Sequence, residues 1–124
     1  MDNCYPKTEK LKGRSLIEKL FKDGKSVSKF PLRLVYMPVV FEDGAPLKIG
    51  VSVSKKHFRK AVDRNYVKRL LRECYRLNKA QLCIPEKTYA MMLLFQSREM
   101  LSFEAVQEKF RQLAEKFQAQ ENTR

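Results

Sequence analysis

Between residues 55 and 76 the chain reads KKHFRKAVDRNYVKRLLRECYR, with nine lysines and arginines against two acids. Side chains of this kind are suited to neutralising phosphate. Arginine forks two donors onto an oxyanion, and lysine adds a compact, mobile charge. On a helix, at about 100° per residue, Arg64, Lys68, Arg72, Asn65, Arg76 and Arg69 fall within one sector of roughly 140°. Arg64–Lys68, Lys68–Arg72 and Arg72–Arg76 are then like-charged neighbours, each pair destabilising an isolated helix by roughly 0.2–0.5 kcal/mol. A polyanion lying along the stripe reverses the sign of those terms. Lys55, Lys56, Arg59 and Lys60 carry the charge into the preceding loop, and Asn65 adds both a donor and an acceptor. Tyr66, Val67, Leu70, Leu71, Cys74 and Leu77 make up the apolar remainder of the helix. The competing reading is a solvated face that serves solubility alone.

Hydrolysis by the chain itself would need clustered carboxylates or histidines to hold a metal and activate water. The basic stretch offers Asp63 and Glu73, which fall on different faces of the helix. His57 is the sole histidine and, next to Phe58, reads as a loop or packing residue. Cys4, Cys74 and Cys83 are odd in number and lack metal-ligand spacing. Cys74, on the apolar face, is expected to be a small core residue. No catalytic residue and no metal ligand is therefore expected in this chain.

The 124 residues, 14.6 kDa, carry a net charge of +12, more than solubility requires. The whole excess lies in residues 1–82, whereas residues 83–124 hold equal numbers of acids and bases. The first two thirds is thus expected to meet a polyanion: nucleic acid first, an anionic membrane second. A membrane partner is disfavoured because the apolar stripe opposite the charges is needed by the core. No apolar run approaches the roughly 18 residues needed to span a bilayer. No apolar segment follows the charged N-terminus MDNCYPKTEKLKG, so a cytoplasmic protein is expected.

The elements that must position the basic stretch can be read from periodicity. Residues 1–7 form an irregular arm. Thr8 to Lys22 reads as a helix with Leu16, Ile17, Leu20 and Phe21 on its apolar face, ended by Gly24. LRLVYMPVV, residues 32–40, reads as a strand with Pro38 marking an edge or break. LKIGVSVS alternates strictly: Leu47, Ile49, Val51 and Val53 on one face, Lys48, Gly50, Ser52 and Ser54 on the other. A long helix spans about Lys60 to Leu82, TYAMMLLF at 88–95 reads as the most buried strand, and Ser102 caps a last helix. Residues 118–124 read as a frayed polar tail. One domain over residues 1–124, an α+β sandwich with helices packed on a small sheet, follows. A groove between the small sheet face and the basic helix would hold one extended strand. Duplex readout fits less well, since no helix of helix-turn-helix spacing precedes the basic one.

KIGVSVSKKHFRKAVDRNYVKRLLRE, residues 48–73, resembles the most characteristic stretch of the bacterial ribonuclease P protein component. The matching elements are G-V-S-V-S-K-K at 50–56, A-V at 61–62, R-N at 64–65 and K-R-L-L-R-E at 68–73. LKGRSLIEKLFKDGKSV, residues 11–27, is similar to that family's first helix and following glycine. The resemblance implies the order α-β-β-β-α-β-α with a mixed sheet, and so an extra short strand near Lys25 to Ser28. It implies a non-catalytic subunit of an endoribonuclease whose catalytic RNA subunit removes the 5′ leader from precursor tRNA. That RNA would bind the Mg2+ the reaction uses. Partners would be the RNA subunit and precursor tRNA, with no membrane and no obligate protein partner. Arg64, Asn65, Lys68, Arg69 and Arg72, continued by Lys55 and Lys56, would face RNA, and Ile17, Phe21, Tyr36 and Ser52 would line a leader cleft. Tyr66 departs from the family's R-N-R pattern, where the third residue is arginine; stacking on RNA and packing in the core are both open to it. The alternative function is a structural RNA-binding protein of a ribosomal type.

Overall fold

An apolar run without alternation belongs in the middle of a sheet, covered on both sides. TYAMMLLF occupies that place in the computed structural model, which describes residues 11, 13–42, 44, 47–56, 58–84 and 87–122. The elements run α1 (Arg14–Asp23), β1 (Lys25–Lys29), β2 (Leu32–Pro38), β3 (Leu47–Val53), α2 (Ala61–Asn78), a 3-10 turn (Lys79–Leu82), β4 (Tyr89–Phe95) and α3 (Phe103–Asn122). The sheet order is β1-β2-β4-β3. β1–β2 and β2–β4 are antiparallel and β3–β4 is parallel, so the sheet is mixed and α2 forms the crossover. This is the expected α+β architecture and element order.

The two sheet faces are covered unequally. Leu32, Leu34 and Tyr36 of β2, Leu47, Ile49 and Val53 of β3, and Tyr89, Met91, Leu93 and Phe95 of β4 pack beneath α2 and α3. On the opposite face Val35, Ala90 and Met92 pack against Leu16, Ile17 and Leu20 of α1. Two helices therefore seal one face and a single short helix covers part of the other. α1 ends where Gly24 donates its N–H to the Leu20 carbonyl at 2.8 Å. A Cβ at Gly24 would stand 2.4 Å from that oxygen, so the reversal into β1 requires glycine. α3 begins as expected, with the Ala105 N–H donating to Ser102 Oγ at 3.2 Å.

Two expectations need correction, and a third falls partly outside the described residues. The strand from Leu32 ends at Pro38, whose missing N–H removes a ladder donor, and Val40 is almost fully exposed. The first helix begins at Arg14; the expected start at Thr8 and the arm over residues 1–7 lie outside the described residues. Finally, residues 118–122 are not a frayed tail but the last turn of α3. Three of its polar side chains are held from within. Gln118 donates to the Gln81 carbonyl and Gln120 to the Tyr36 hydroxyl. The buried Glu121 carboxylate accepts from Tyr36 and Tyr89 at 2.7 and 2.8 Å.

Candidate nucleic-acid interface

α2 buries Val67, Leu71, Cys74, Tyr75 and Asn78. That seam is rotated by roughly 60° from the centre of the apolar set read on the helical wheel. The difference arises because Tyr75 and Asn78 go inward. Asn78 donates to the Cys74 carbonyl at 2.9 Å and to Gln107 of α3 at 3.1 Å. The rotation brings Arg64 and Lys68 to the half-buried flank and leaves Asn65, Arg69 and Arg72 exposed. Tyr66 and Leu77, assigned to the apolar side, stand out in solvent at 44% and 51% exposure.

The basic residues are consequently not equivalent. Arg64 reaches back over the loop before α2, where its Nη1 donates to the carbonyls of Phe58 and Arg59 at 2.9 and 2.8 Å. Phe58 plugs the same loop into the core against Phe95, with ring centroids 6.0 Å apart. The Lys56 N–H donates to Ser54 Oγ at 3.0 Å, and the Phe58 N–H to the Ser54 carbonyl at 3.2 Å. The loop is thus tied at both ends, and Lys55, Lys56, Arg59 and Lys60 are all presented to solvent. Arg76 is bound to Glu73, whose carboxyl is held below its ordinary range by that guanidinium. Its charge is locally compensated. Lys68, Arg69 and Arg72 form no ion pair among the described residues.

Beside this loop lies the open part of the sheet. Strand register aligns Ser28, Arg33, Leu94 and Ser52 in one row on the face that α1 only partly covers. Ser28 and Arg33 are exposed, and Leu94 and Ser52 are half-buried. At the β3 end of the row, Ser52, Ser54, Lys56, Leu94, Phe95 and Gln96 line a shallow cavity of about 280 Å³. Ser52 and Lys56 line this cavity together. Phe21, on α1, is half exposed, whereas Ile17 is partly buried in the α1–sheet packing.

Tyr36 is a correction. It is fully buried on the opposite face, its ring 4.8 Å from that of Phe117 and 5.8 Å from that of Tyr89. Burial and the hydrogen bond to Glu121 hold its hydroxyl above the ordinary tyrosine range. It has no free surface on which a base could stack. Strand parity decides this: Tyr36 shares its face with Leu32 and Leu34, while Arg33, Val35 and Met37 face the α1 side. Arg33 and Leu94, missed in the sequence, take their places on the open row. Arg33 was the available signal, as the one charged residue inside β2.

Among the described residues no three of His, Cys, Asp and Glu stand together in a way that could hold a metal ion. No step is assigned to a metal held by these described residues. His57 lies outside the described residues. Burial pushes the Cys74 thiol up to about 12, with Glu73 adding to the shift, so it stays protonated as a core residue. No helix among the described residues is long and apolar enough to cross a membrane.

The ribonuclease P family model matches residues 5–118. The ribonuclease P protein component of Porphyromonas gingivalis strain ATCC 33277 is 49% identical over 73 residues, 59% of this chain and 53% of that protein. The component from Chlorobaculum tepidum is 39% identical over 80 residues, 62% of this chain and 52% of its own length. The chain thus spans about half the length of these relatives. Among solved structures, the ribonuclease P protein of Thermotoga maritima superposes with a TM-score of 0.71 at 26% identity, covering 87% of this chain and 96% of that one. That of Staphylococcus aureus gives 0.71 at 20% identity, over 86% and 93% of the two chains, a likeness of fold.

Proposed function

The chain belongs to the ribonuclease P protein family, and from that premise we propose that it is the protein subunit of ribonuclease P. In this role it binds the catalytic RNA subunit and the 5′ leader of precursor tRNA, in the cytoplasm, and cuts neither. The observation that carries the reading is the continuity of two surfaces. A tied basic loop, Lys55 to Lys60, joins the exposed cations of α2 to the open row of Ser52, Leu94 and Arg33. A single strand crossing that row would meet serine hydroxyls, the Leu94 side chain and one guanidinium before reaching the loop. The cations of α2 would hold the larger RNA. The ribosomal-type alternative finds no counterpart in the family match.

The contribution of such a subunit is electrostatic and positional. Two RNAs approaching one another repel, and lysines and arginines between them displace counterions and lower that repulsion. Their field cannot attract Mg2+, so any saving in metal must come through RNA geometry. Cleavage of precursor tRNA is measured at low magnesium with the RNA subunit alone, the protein alone and both together. The pair is expected to cleave where neither component does. Equal cleavage by the RNA with and without protein overturns the proposal, as does cleavage by protein freed of RNA.

A further inference from the structure

The rotation of α2 leaves an apolar edge beside the cations that the core covers only in part: Leu70 and Phe103 pack against the core, whereas Val62, Tyr66 and Leu77 stay exposed. Val62 is 77% exposed and Tyr66 44% exposed, one helical turn apart, and the line continues through half-buried Leu70 to Leu77. Past Tyr66, an open cavity of about 370 Å³ is lined by Arg69, Leu70, Glu73, Leu77 and Phe103. Exposed Asn65 and Arg69 flank Tyr66 along the helix. The one acid of the cavity, Glu73, is engaged by Arg76.

We propose that Tyr66 is a stacking surface for an unpaired base of the RNA held by the basic face, with Arg69 and Asn65 taking the phosphate and base edge. The inference rests on the RNA-binding reading above and goes beyond it. A phosphate alone has no use for a ring with Val62 and Leu70 as apolar neighbours. A second copy of this chain brings its own charge of +12 to the same edge, which opposes close approach. A base presents a polarisable face to the ring while its backbone remains in the field of Arg69 and Arg72. Aromatic stacking on single-stranded nucleic acid uses this combination.

The test compares Tyr66→Phe, Tyr66→Ala and Lys68→Ala in binding to the in vitro transcribed RNA subunit over a range of salt. Tyr66→Phe is expected to bind within about twofold of the parent. Tyr66→Ala is expected to lose roughly tenfold or more, with the slope of log affinity against log salt unchanged. Tyr66 is exposed, so circular dichroism should show both variants folded. Parent-like affinity of Tyr66→Ala overturns the inference. So does an equal loss in Tyr66→Phe, which would place a hydroxyl hydrogen bond there, or a self-association of the parent that Tyr66→Ala abolishes. An unchanged slope in Lys68→Ala would count against the RNA-binding reading itself, and so separates the two failures.

Discussion

Arg64 and Lys68 lie one turn apart and look alike in sequence, yet the structure gives them different work. Lys68 forms no ion pair among the described residues, so its removal should subtract charge alone. Arg64 holds the carbonyls of Phe58 and Arg59 and with them the loop that presents four cations. Lys68→Ala should lower the log–log salt slope of RNA binding by about 1, the loss of one phosphate contact. Arg64→Ala should cost more affinity than that and speed amide exchange in residues 58–60, which Lys68→Ala leaves untouched. Equal exchange in the two variants would mean that Arg64 is only another charge. The wheel placed both residues on one face because a periodicity describes the helix alone. It carries no information about a loop folding back over the first turn.

At the scale of elements, the end of α3 depends on one buried carboxylate. Burial by itself would raise the pKa of Glu121. Donation from the Tyr36 and Tyr89 hydroxyls, with the nearby charges of Lys25 and Lys87, outweighs it, and the carboxyl lies below its ordinary 4.5. A carboxyl depressed on folding stabilises the native state fully above its unfolded pKa, and this is lost as pH falls through the folded value. Glu121→Gln should therefore cost about 1–3 kcal/mol near neutral pH. That gap from the parent should narrow as the pH falls below 4.5. A gap that is constant with pH, followed by thermal or urea unfolding, would show that the charged form is not what the site recognises. The polar composition of QAQENTR suggested solvent because its partners, Gln81, Tyr36 and Tyr89, are distant in sequence.

For the whole molecule, the consequence is a division of surfaces: one sheet face sealed by two helices, the other left open in a row from Ser28 to Ser52. Affinity of the holoenzyme for precursor tRNA should fall when the single-stranded leader is shortened. Arg33→Ala and Phe21→Ala should each blunt that dependence by several-fold, because one removes a charge and the other a half-exposed ring from the α1 side. Tyr36→Phe should lower stability and leave leader dependence intact. Leader discrimination lost in Tyr36→Phe, with Arg33→Ala unaffected, would reverse the assignment of the two faces.

The chain's own order of residues determined a good deal. The alternation of Leu47 to Ser54 and the unbroken run of β4 set two of the strands, the block from Gly50 to Glu73 points to the family, and the concentration of charge before residue 83 supports the polyanion partner proposed above. These are local properties, written in side-chain type and period. Tertiary structure alone decided which parity of β2 faces α3, that Arg64 clasps a loop, that Tyr66 stands in solvent and that Glu121 is buried. β1 belongs with these, because KSVSK buries only Val27 and is a strand through its pairing with β2. Periodicity divides an element into two faces, but packing with residues far along the chain selects which face is covered.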